Sequence, residues 1–500
     1  MKDFLQTIKN SVNIQLILLF GLIVQILFCI TSVGYFHPDQ HFQIIEFSSL
    51  QLHKNNAAGA VWELQSNIRP TLQVYLFSGF RIACEKLSII NPFNQLLILR
   101  LIQGLLFWIF LNYISFFYNK YATKKNLIIT LLIINFSWFL PYSRTLFSSE
   151  VTAALIFFPA IFWFHKSQLE KSITFFKLFV IGLLIALSFY LRFQLGFAIA
   201  GFFTLIFLIN KLYKYSFFVL IGFTIGVLIN VFIDYQFYHK IVFTPFVYFK
   251  INIIEGVAAS FGEKSFFYYL GVLAGVTVVA PISILLLTQY FKISIQKFKH
   301  PLVITCLFFL VGHSMVAHKE ERFLFTIINI IPIVLSIGGL DYLIKKYQQS
   351  KIYKYIINTS LVLNTFLLIA FIFIPYSQSI HFIENLSGNK RIQNKLVYCF
   401  ERNPLQTESK LPLTFYSHQF KNTQFVNFNS KDSVAFKNKP QPEIIISTYN
   451  DLRDQNFHPE TLGYTPVLYS STLLWKLNVY LEQKGLNSIN DIWVVYRFNK

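Results

Sequence analysis

Apolar runs separated by short polar interruptions fill the first three quarters of the chain. In windows of about 19 residues they stand near 12–34, 95–118, 126–141, 148–165, 174–191, 195–210, 216–233, 266–290, 301–317, 323–343 and 355–375. About 20 residues of α-helix cross roughly 30 Å of hydrocarbon, twice the length a barrel strand needs, so the pattern predicts an all-α polytopic bundle of about eleven membrane helices. Beyond about residue 376 the pattern changes. Strand-like runs ("EIIIST", "IWVVYRF") alternate with a helical one ("LLWKLNVYLEQKG"), which predicts a small α/β domain over 376–500. The expected division is a transmembrane part, 1–375, whose first extracytoplasmic loop is 35–94, followed by that domain.

Composition agrees with the pattern: 54% of residues are apolar, 13% are charged and 58 are Phe, whereas soluble domains run near 45–50% apolar and about 25% charged. The N-terminal "MKDFLQTIKN" resembles the head of a signal peptide, but the apolar segment behind it is too long and carries no A-x-A-like site, so an uncleaved first span is expected. A formal charge of +20 does not imply nucleic acid, because Lys and Arg occur in small clusters between apolar runs and not on one face. With the N-terminus in the cytoplasm, every cytoplasmic loop is basic: Lys120/Lys124/Lys125, Lys166/Lys171, Lys211/Lys214, Lys292/Lys297/Lys299 and Lys345/Lys346/Lys351/Lys354. An odd number of spans then leaves 376–500 on the non-cytoplasmic side.

That orientation sorts the polar words onto one face. "HPDQHFQ", "WELQSNIRP", "YSRTLFSSE", "YLRFQLG", "DYQFYHK" and "HKEERF" all fall at or beside outer helix ends. Ionisable groups near membrane depth are costly, about 2.5–3.5 kcal/mol at the centre on insertion scales, and so point to function. Asp39, in a loop dense with His, Gln and Glu, suits a general base; taken alone, it better suits the cap of an interfacial helix. The consecutive His318, Lys319, Glu320, Glu321 and Arg322, with Arg144 and Arg192 at other outer helix ends, suit a lipid-linked phosphate, or else a solvated turn with snorkelling cations. These words are expected to line one non-cytoplasmic cavity.

Other chemistries are not signalled. The sequence contains no G-x-x-x-x-G-K-[ST], D-x-D, H-E-x-x-H or G-x-S-x-G word, and Cys29, Cys84, Cys306 and Cys399 are scattered without metal-ligand spacing. Neither a metal site nor a cofactor is expected.

"HPDQHFQ" resembles the HPDE-x-F-Q word of glycosyltransferase family 22, the multispanning α-mannosyltransferases of GPI-anchor and asparagine-linked glycans. "WELQSNIRP", "SRTLFSSE", "YLRFQ" and "HKEERFLF" resemble further words of that family in its own order, over about residues 30 to 330. The resemblance implies a GT-C fold with its active site on the lumenal or periplasmic face. It also implies transfer of a hexose, mannose in the family, from a polyprenyl-phosphate sugar to a lipid-linked or surface glycan by one inverting displacement. Asp39 would be the base. His37, Gln40, Glu63, Arg69, Arg144, Glu150, Arg192, Gln194, His318, Lys319, Glu320 and Arg322 would bind substrate, the cations holding the phosphate. Gln40 stands where the family has a second acid, Pro70 where it has Ser, and Ser148 where it has Asn; Glu46 and Glu63 are acids that could replace the missing one. The Lys-, Asn-, Ile- and Phe-rich vocabulary and the lack of a retrieval signal favour a bacterial inner membrane over the endoplasmic reticulum. A transporter of lipid-linked sugar is the rival, although its polar groups would be expected at mid-membrane on repeated halves. A membrane scaffold would leave the one-sided polar words without a purpose.

Overall fold

The computed structural model describes residues 11–54, 62–120, 122–277, 279–389, 392–407, 409–420, 422–429, 442–489 and 492–499. The chain forms two compact units. The first comprises Met1–Ser32, Glu63–Leu76 and Ile98–Ile374, and the second comprises Val33–Trp62, Phe77–Leu97 and Pro375–Lys500.

The first unit is all helical and belongs to a multi-pass membrane protein. Among the described residues, four helices are long and apolar enough to cross a membrane: Val12–Thr31, Pro92–Asn119, Tyr213–Tyr238 and Lys351–Ile372. Ile282–Gln296 and Pro301–Met315 form a pair bent by 116°. The expected set of about eleven spans is seen only in part: the run at 148–165 forms the unbroken 21-residue helix Ser149–Leu169 and that at 174–191 the 17-residue helix Phe175–Leu191, while others are divided. The run at 323–343 divides into Phe325–Ile328, Ile331–Ile337 and Asp341–Gln349, with Pro332 in the first turn of the second piece, where its missing N–H costs nothing. The run at 195–210 passes from the α-helix Gly196–Phe203 into a π-helical stretch, Thr204–Ile209.

Two features organise this unit. Helices Phe175–Leu191 and Tyr213–Tyr238 cross in backbone contact. A Cβ on Gly182 would lie 2.1 Å from the Val219 carbonyl oxygen, and one on Gly222 2.0 Å from that of Phe179. Only glycine permits this approach, and Gly222 and Gly226 form the small-x-x-x-small spacing by which membrane helices pack without a hydrophobic driving force. The second feature is a break between helices Lys124–Phe136 and Ser149–Leu169. Inside a bilayer, loose backbone groups must find protein partners. Here Asn364 donates to the Phe136 carbonyl (2.7 Å) and accepts from the Trp138 N–H (3.0 Å), while Gln103 donates to the carbonyls of Arg144 (2.9 Å) and Leu146 (2.6 Å).

The second unit is discontinuous in sequence; two of its segments come from the first loop. Its sheet has strands β1 (Leu396–Phe400), β2 (Gln424–Phe428), β3 (Ile444–Thr448), β4 (Tyr464–Tyr469) and β5 (Trp493–Phe498) in the order β2-β1-β3-β5-β4. β1 runs parallel to β2 and β3, and β5 antiparallel to β3 and β4. β3 and β5 fall on the two runs read as strands, and helix Thr472–Gln483 on the run read as helical. β3 is buried along its whole length, which explains the unbroken Ile444-Ile445-Ile446 run in place of an alternating one. Phe400, Phe428, Tyr464 and Val494 pack into the same core. Trp493 stacks on Phe382 at 5.6 Å and donates to Ser379 (3.2 Å), fixing helix Gln378–Ser387 to the sheet.

Candidate active site

The Asp39 turn lies in the second unit. A helix starts at Pro38, runs through the π-helical stretch His41–Glu46 and ends at Gln51. Its N-cap is His37, not Asp39: His37 is extended (φ −140°, ψ 141°) and its Nδ1 accepts from the Asp39 N–H at 3.3 Å. Asp39 thus sits in the first turn with its side chain 32% exposed, its Oδ1 3.6 Å from His37 Nδ1. Carboxylates are stabilised there by the positive end of the helix dipole. Gln40 is buried. Its Oε1 accepts from the Phe36 N–H (3.0 Å), and its Nε2 has no hydrogen-bond partner among the described residues.

Five residues span about 140° around an α-helix of 3.6 residues per turn, which would point His41 and Glu46 apart. The wider turn of a π-helix bonds i to i+5 and stacks such residues one above the other. His41 Nε2 accordingly lies 2.9 Å from Glu46 Oε1, with both side chains fully buried. Glu46 also accepts from the Phe415 N–H (3.0 Å) and from the Thr414 hydroxyl, and His41 stacks on Tyr416 at 5.3 Å. Burial alone would raise the Glu46 pKa, but the His41 bond and charge with the Thr414 and Phe415 donors outweigh it and hold the carboxyl below its usual range. A depressed carboxyl pKa adds stability above the unfolded value of about 4.3, and that stability is lost as pH falls through the folded value. Thermal unfolding of the purified protein is expected to show a drop in Tm as pH falls below about 4.3, and Glu46→Gln to lose the part of that drop due to this group; an unchanged profile in the variant would contradict the clamp.

A second cluster lies in the first unit. Arg192 ends helix Phe175–Leu191 in an extended conformation (φ −149°, ψ 103°), which turns it out of the helix. Its Nη2 is 3.1 Å from Glu150 Oε1, its Nη1 donates to Ser149 Oγ (3.4 Å), and its guanidinium lies 4.9 Å from the centre of the Phe323 ring. The Arg322 guanidinium lies 5.5 Å from the same ring and grips Glu320 with two N–H groups, at 2.5 and 3.1 Å. His318 has Nε2 3.0 Å from Glu320 Oε1 and Nδ1 2.8 Å from the Gly262 carbonyl. Two guanidiniums over one aromatic ring, each with a carboxylate counter-ion, form a preorganised cation pair.

A polar network adjoins it through Gln194. Gln194 Nε2 donates to the Tyr248 hydroxyl (2.7 Å), Arg69 lies over the Tyr248 ring at 5.6 Å, and Arg69 pairs with Glu63. The segment carrying Arg69 is fixed by Tyr238, which donates to the Arg69 carbonyl (2.7 Å), and by buried Asp234. Asp234 accepts from the Thr71 N–H (2.8 Å), the Thr71 hydroxyl (2.7 Å) and the Thr244 hydroxyl (2.6 Å). Asp234 lies in one of the polar words, but nothing in the sequence pairs it with Thr71.

Two cations named from the sequence are engaged elsewhere. Arg144 is fully buried and donates to Asn329 Oδ1 (2.7 Å), the Ile134 carbonyl (2.5 Å) and Gln25 Oε1 (3.5 Å), all belonging to the helix break and its neighbours. Lys319 directs its ammonium at the carbonyls of Lys264 (2.9 Å), Val316 (2.5 Å) and Ala317 (3.4 Å), tying two loop segments together. Ser148, where the resembling word has Asn, is the N-cap of helix Ser149–Leu169, accepting from the Val151 N–H at 3.4 Å. Ser and Asn are comparable caps, so that departure leaves the helix start intact.

The model of the Alg9-like mannosyltransferase family matches residues 16–404, a span that holds the Asp39 turn and the Arg192 and Arg322 cluster but not Thr414–Tyr416. The chain belongs to this family. This Alg9-like chain is therefore a membrane glycosyltransferase. No curated protein matches it by sequence. Two crystal structures of ArnT from Cupriavidus metallidurans are similar to the Alg9-like chain, one bound to undecaprenyl phosphate and one in the apo state. Each is 11% identical, with 97% of both chains covered and TM-scores of 0.51 and 0.52. At that identity the likeness is one of fold, the GT-C fold.

Proposed function

We propose that this glycosyltransferase takes a hexose, mannose, from a polyprenyl-phosphate donor and passes it to a hydroxyl of a lipid-linked or surface glycan in a single inverting displacement. The observation that carries the donor assignment is the Arg192 and Arg322 pair over Phe323, since a phosphate monoester oxygen that gains charge on leaving is best met by fixed guanidiniums. The ArnT structure of like fold, solved with undecaprenyl phosphate, supports a polyprenyl carrier. In the reaction the acceptor oxygen forms its bond to the anomeric carbon as the bond to the phosphate oxygen breaks. The hydroxyl proton goes to the Asp39 carboxylate, and the electron pair leaves with the phosphate toward Arg192 and Arg322. His318 supports Arg322 through Glu320. Gln40, with a buried donor left over, and the Glu63, Arg69 and Gln194 network suit sugar hydroxyls. Arg144 and Lys319 act as ties.

The shorter helices complete, in this reading, a bundle of about eleven passes, with the reaction and residues 376–500 on the non-cytoplasmic face of a bacterial inner membrane. One experiment tests function and sidedness together. Purified protein in liposomes is given polyprenyl-phosphate mannose and lipid-linked glycan acceptors. Transfer is expected only with donor on the face where residues 376–500 are open to protease. Transfer from a nucleotide sugar, or from the opposite face, would overturn the reading.

A further inference from the structure

Glu46 is an acid in the same helix as Asp39, so it is the obvious second candidate for proton transfer. Its setting points elsewhere. The carboxylate is fully buried and accepts from three donors, His41 Nε2, the Thr414 hydroxyl and the Phe415 N–H. With no exposed surface and most of its acceptor sites taken, this carboxylate does not reach an acceptor hydroxyl. Its effect is mechanical: the bonds run from the π-helical stretch carrying Glu46 to helix Thr414–Ser417, 368 residues further along the chain and beyond β1.

The neighbourhood reinforces this junction. Arg81 is buried, donates to Ser48 Oγ (3.1 Å) and Ser49 Oγ (2.8 Å) on the same helix, and lies 4.9 Å from the centre of the Phe415 ring. Tyr416 is sandwiched by His41 at 5.3 Å and Phe93 at 5.2 Å. Three successive residues, Thr414, Phe415 and Tyr416, thus grip the helix whose first turn bears Asp39, two residues before His41.

We infer that Glu46 is a positioning residue, and that through it the 414–416 turn of the C-terminal region sets the placement of Asp39. This rests on the reading of Asp39 as the base. The part of the C-terminal region that acts here is the 414–416 turn, which fixes the angle at which the Asp39 turn is presented. Misplacing a reacting group by about 1 Å costs on the order of 10²-fold in rate, so a partial loosening of this clamp should be visible in turnover.

The test uses Thr414, which touches Glu46 but lies far from Asp39 in sequence. Thr414→Val keeps the side-chain shape and deletes the hydroxyl donor; Thr414→Ser retains the donor. In the purified full-length enzyme, Thr414→Val is expected to lower kcat about tenfold with the donor KM within about twofold, and Thr414→Ser to restore it. Placed on Asp39→Asn, Thr414→Val should lower the residual rate no further, because its effect passes through Asp39. His41→Phe, which keeps the stack on Tyr416 and loses the Nε2 bond, gives a second variant with the same expected signature should Thr414→Val not fold. A wild-type kcat in both single variants would overturn the inference. So would an equal loss in the Asp39→Asn background, which would mark the contact as general structural support. If Asp39→Asn alone keeps full activity, the reading of Asp39 fails, and the route from Thr414 fails with it; that result is seen before any double variant is made.

Discussion

Asp39→Asn is expected to reduce turnover by about 10²–10⁴-fold while leaving donor binding intact. Asn reproduces the shape of the carboxylate and keeps one acceptor oxygen, but it cannot take up the hydroxyl proton. The local structure makes the substitution a clean probe. The helix is capped by the His37 side chain, so Asn at position 39 removes no cap; what it removes is one favourable charge in a first helical turn, about 0.3–1 kcal/mol. A large rate loss at nearly unchanged Tm would therefore identify chemistry. If the rate is unchanged instead, Asp39 serves only the helix end, and the base must be sought elsewhere. Donor binding measured by displacement of a labelled polyprenyl phosphate separates the two effects.

Arg322→Ala is expected to lower kcat/KM by about 10²–10³-fold, through a weaker donor KM as well as a lower kcat. A phosphate is anionic before the reaction and more so after it, so a cation on it contributes to both. Arg322→Lys should recover only part of the loss, since an ammonium cannot reproduce the two-pronged grip on Glu320. Deleting Arg322 also leaves Glu320 without that grip, and a stray carboxylate could repel the donor by itself. The double variant Arg322→Ala, Glu320→Gln distinguishes the causes. It should stay impaired if Arg322 meets the phosphate, and near wild-type rates would reduce Arg322 to a counter-ion of Glu320.

The parts of the fold that depend on local pattern were readable from the residues. Apolar runs placed the helices, and the Ile444 run and "IWVVYRF" placed two strands. What local pattern does not carry is continuity: the run at 323–343 is divided around Pro332, and the helix of the run at 126–141 stops at Phe136. In the candidate site, residue type marked Arg192, Glu320 and Arg322, but type alone does not distinguish a cation paired with a carboxylate from one facing backbone carbonyls. Arg144 and Lys319 carry the same positive charge as Arg322, but the fold sets the Asn329 and Ile134 oxygens around the first and loop carbonyls around the second. The His41 and Glu46 pair escaped because i, i+5 contacts are foreign to an α-helix and need the wider π-turn. Phe323, read as part of an apolar run, could not announce that two arginines would share its ring.

The 368-residue gap between Glu46 and its Thr414 partner also sets a timetable for biosynthesis. A ribosome adding about 5–20 residues per second needs roughly 20 to 75 s to cover it, during which the early helices are already made and the acid has neither of its downstream donors. Through that interval the Asp39 turn is unclamped, and a nascent or truncated chain ending before Thr414 carries the carboxylate without the geometry. Under the inference that the 414–416 turn places Asp39, competence for sugar transfer arrives late in synthesis, after most of the membrane helices have been made.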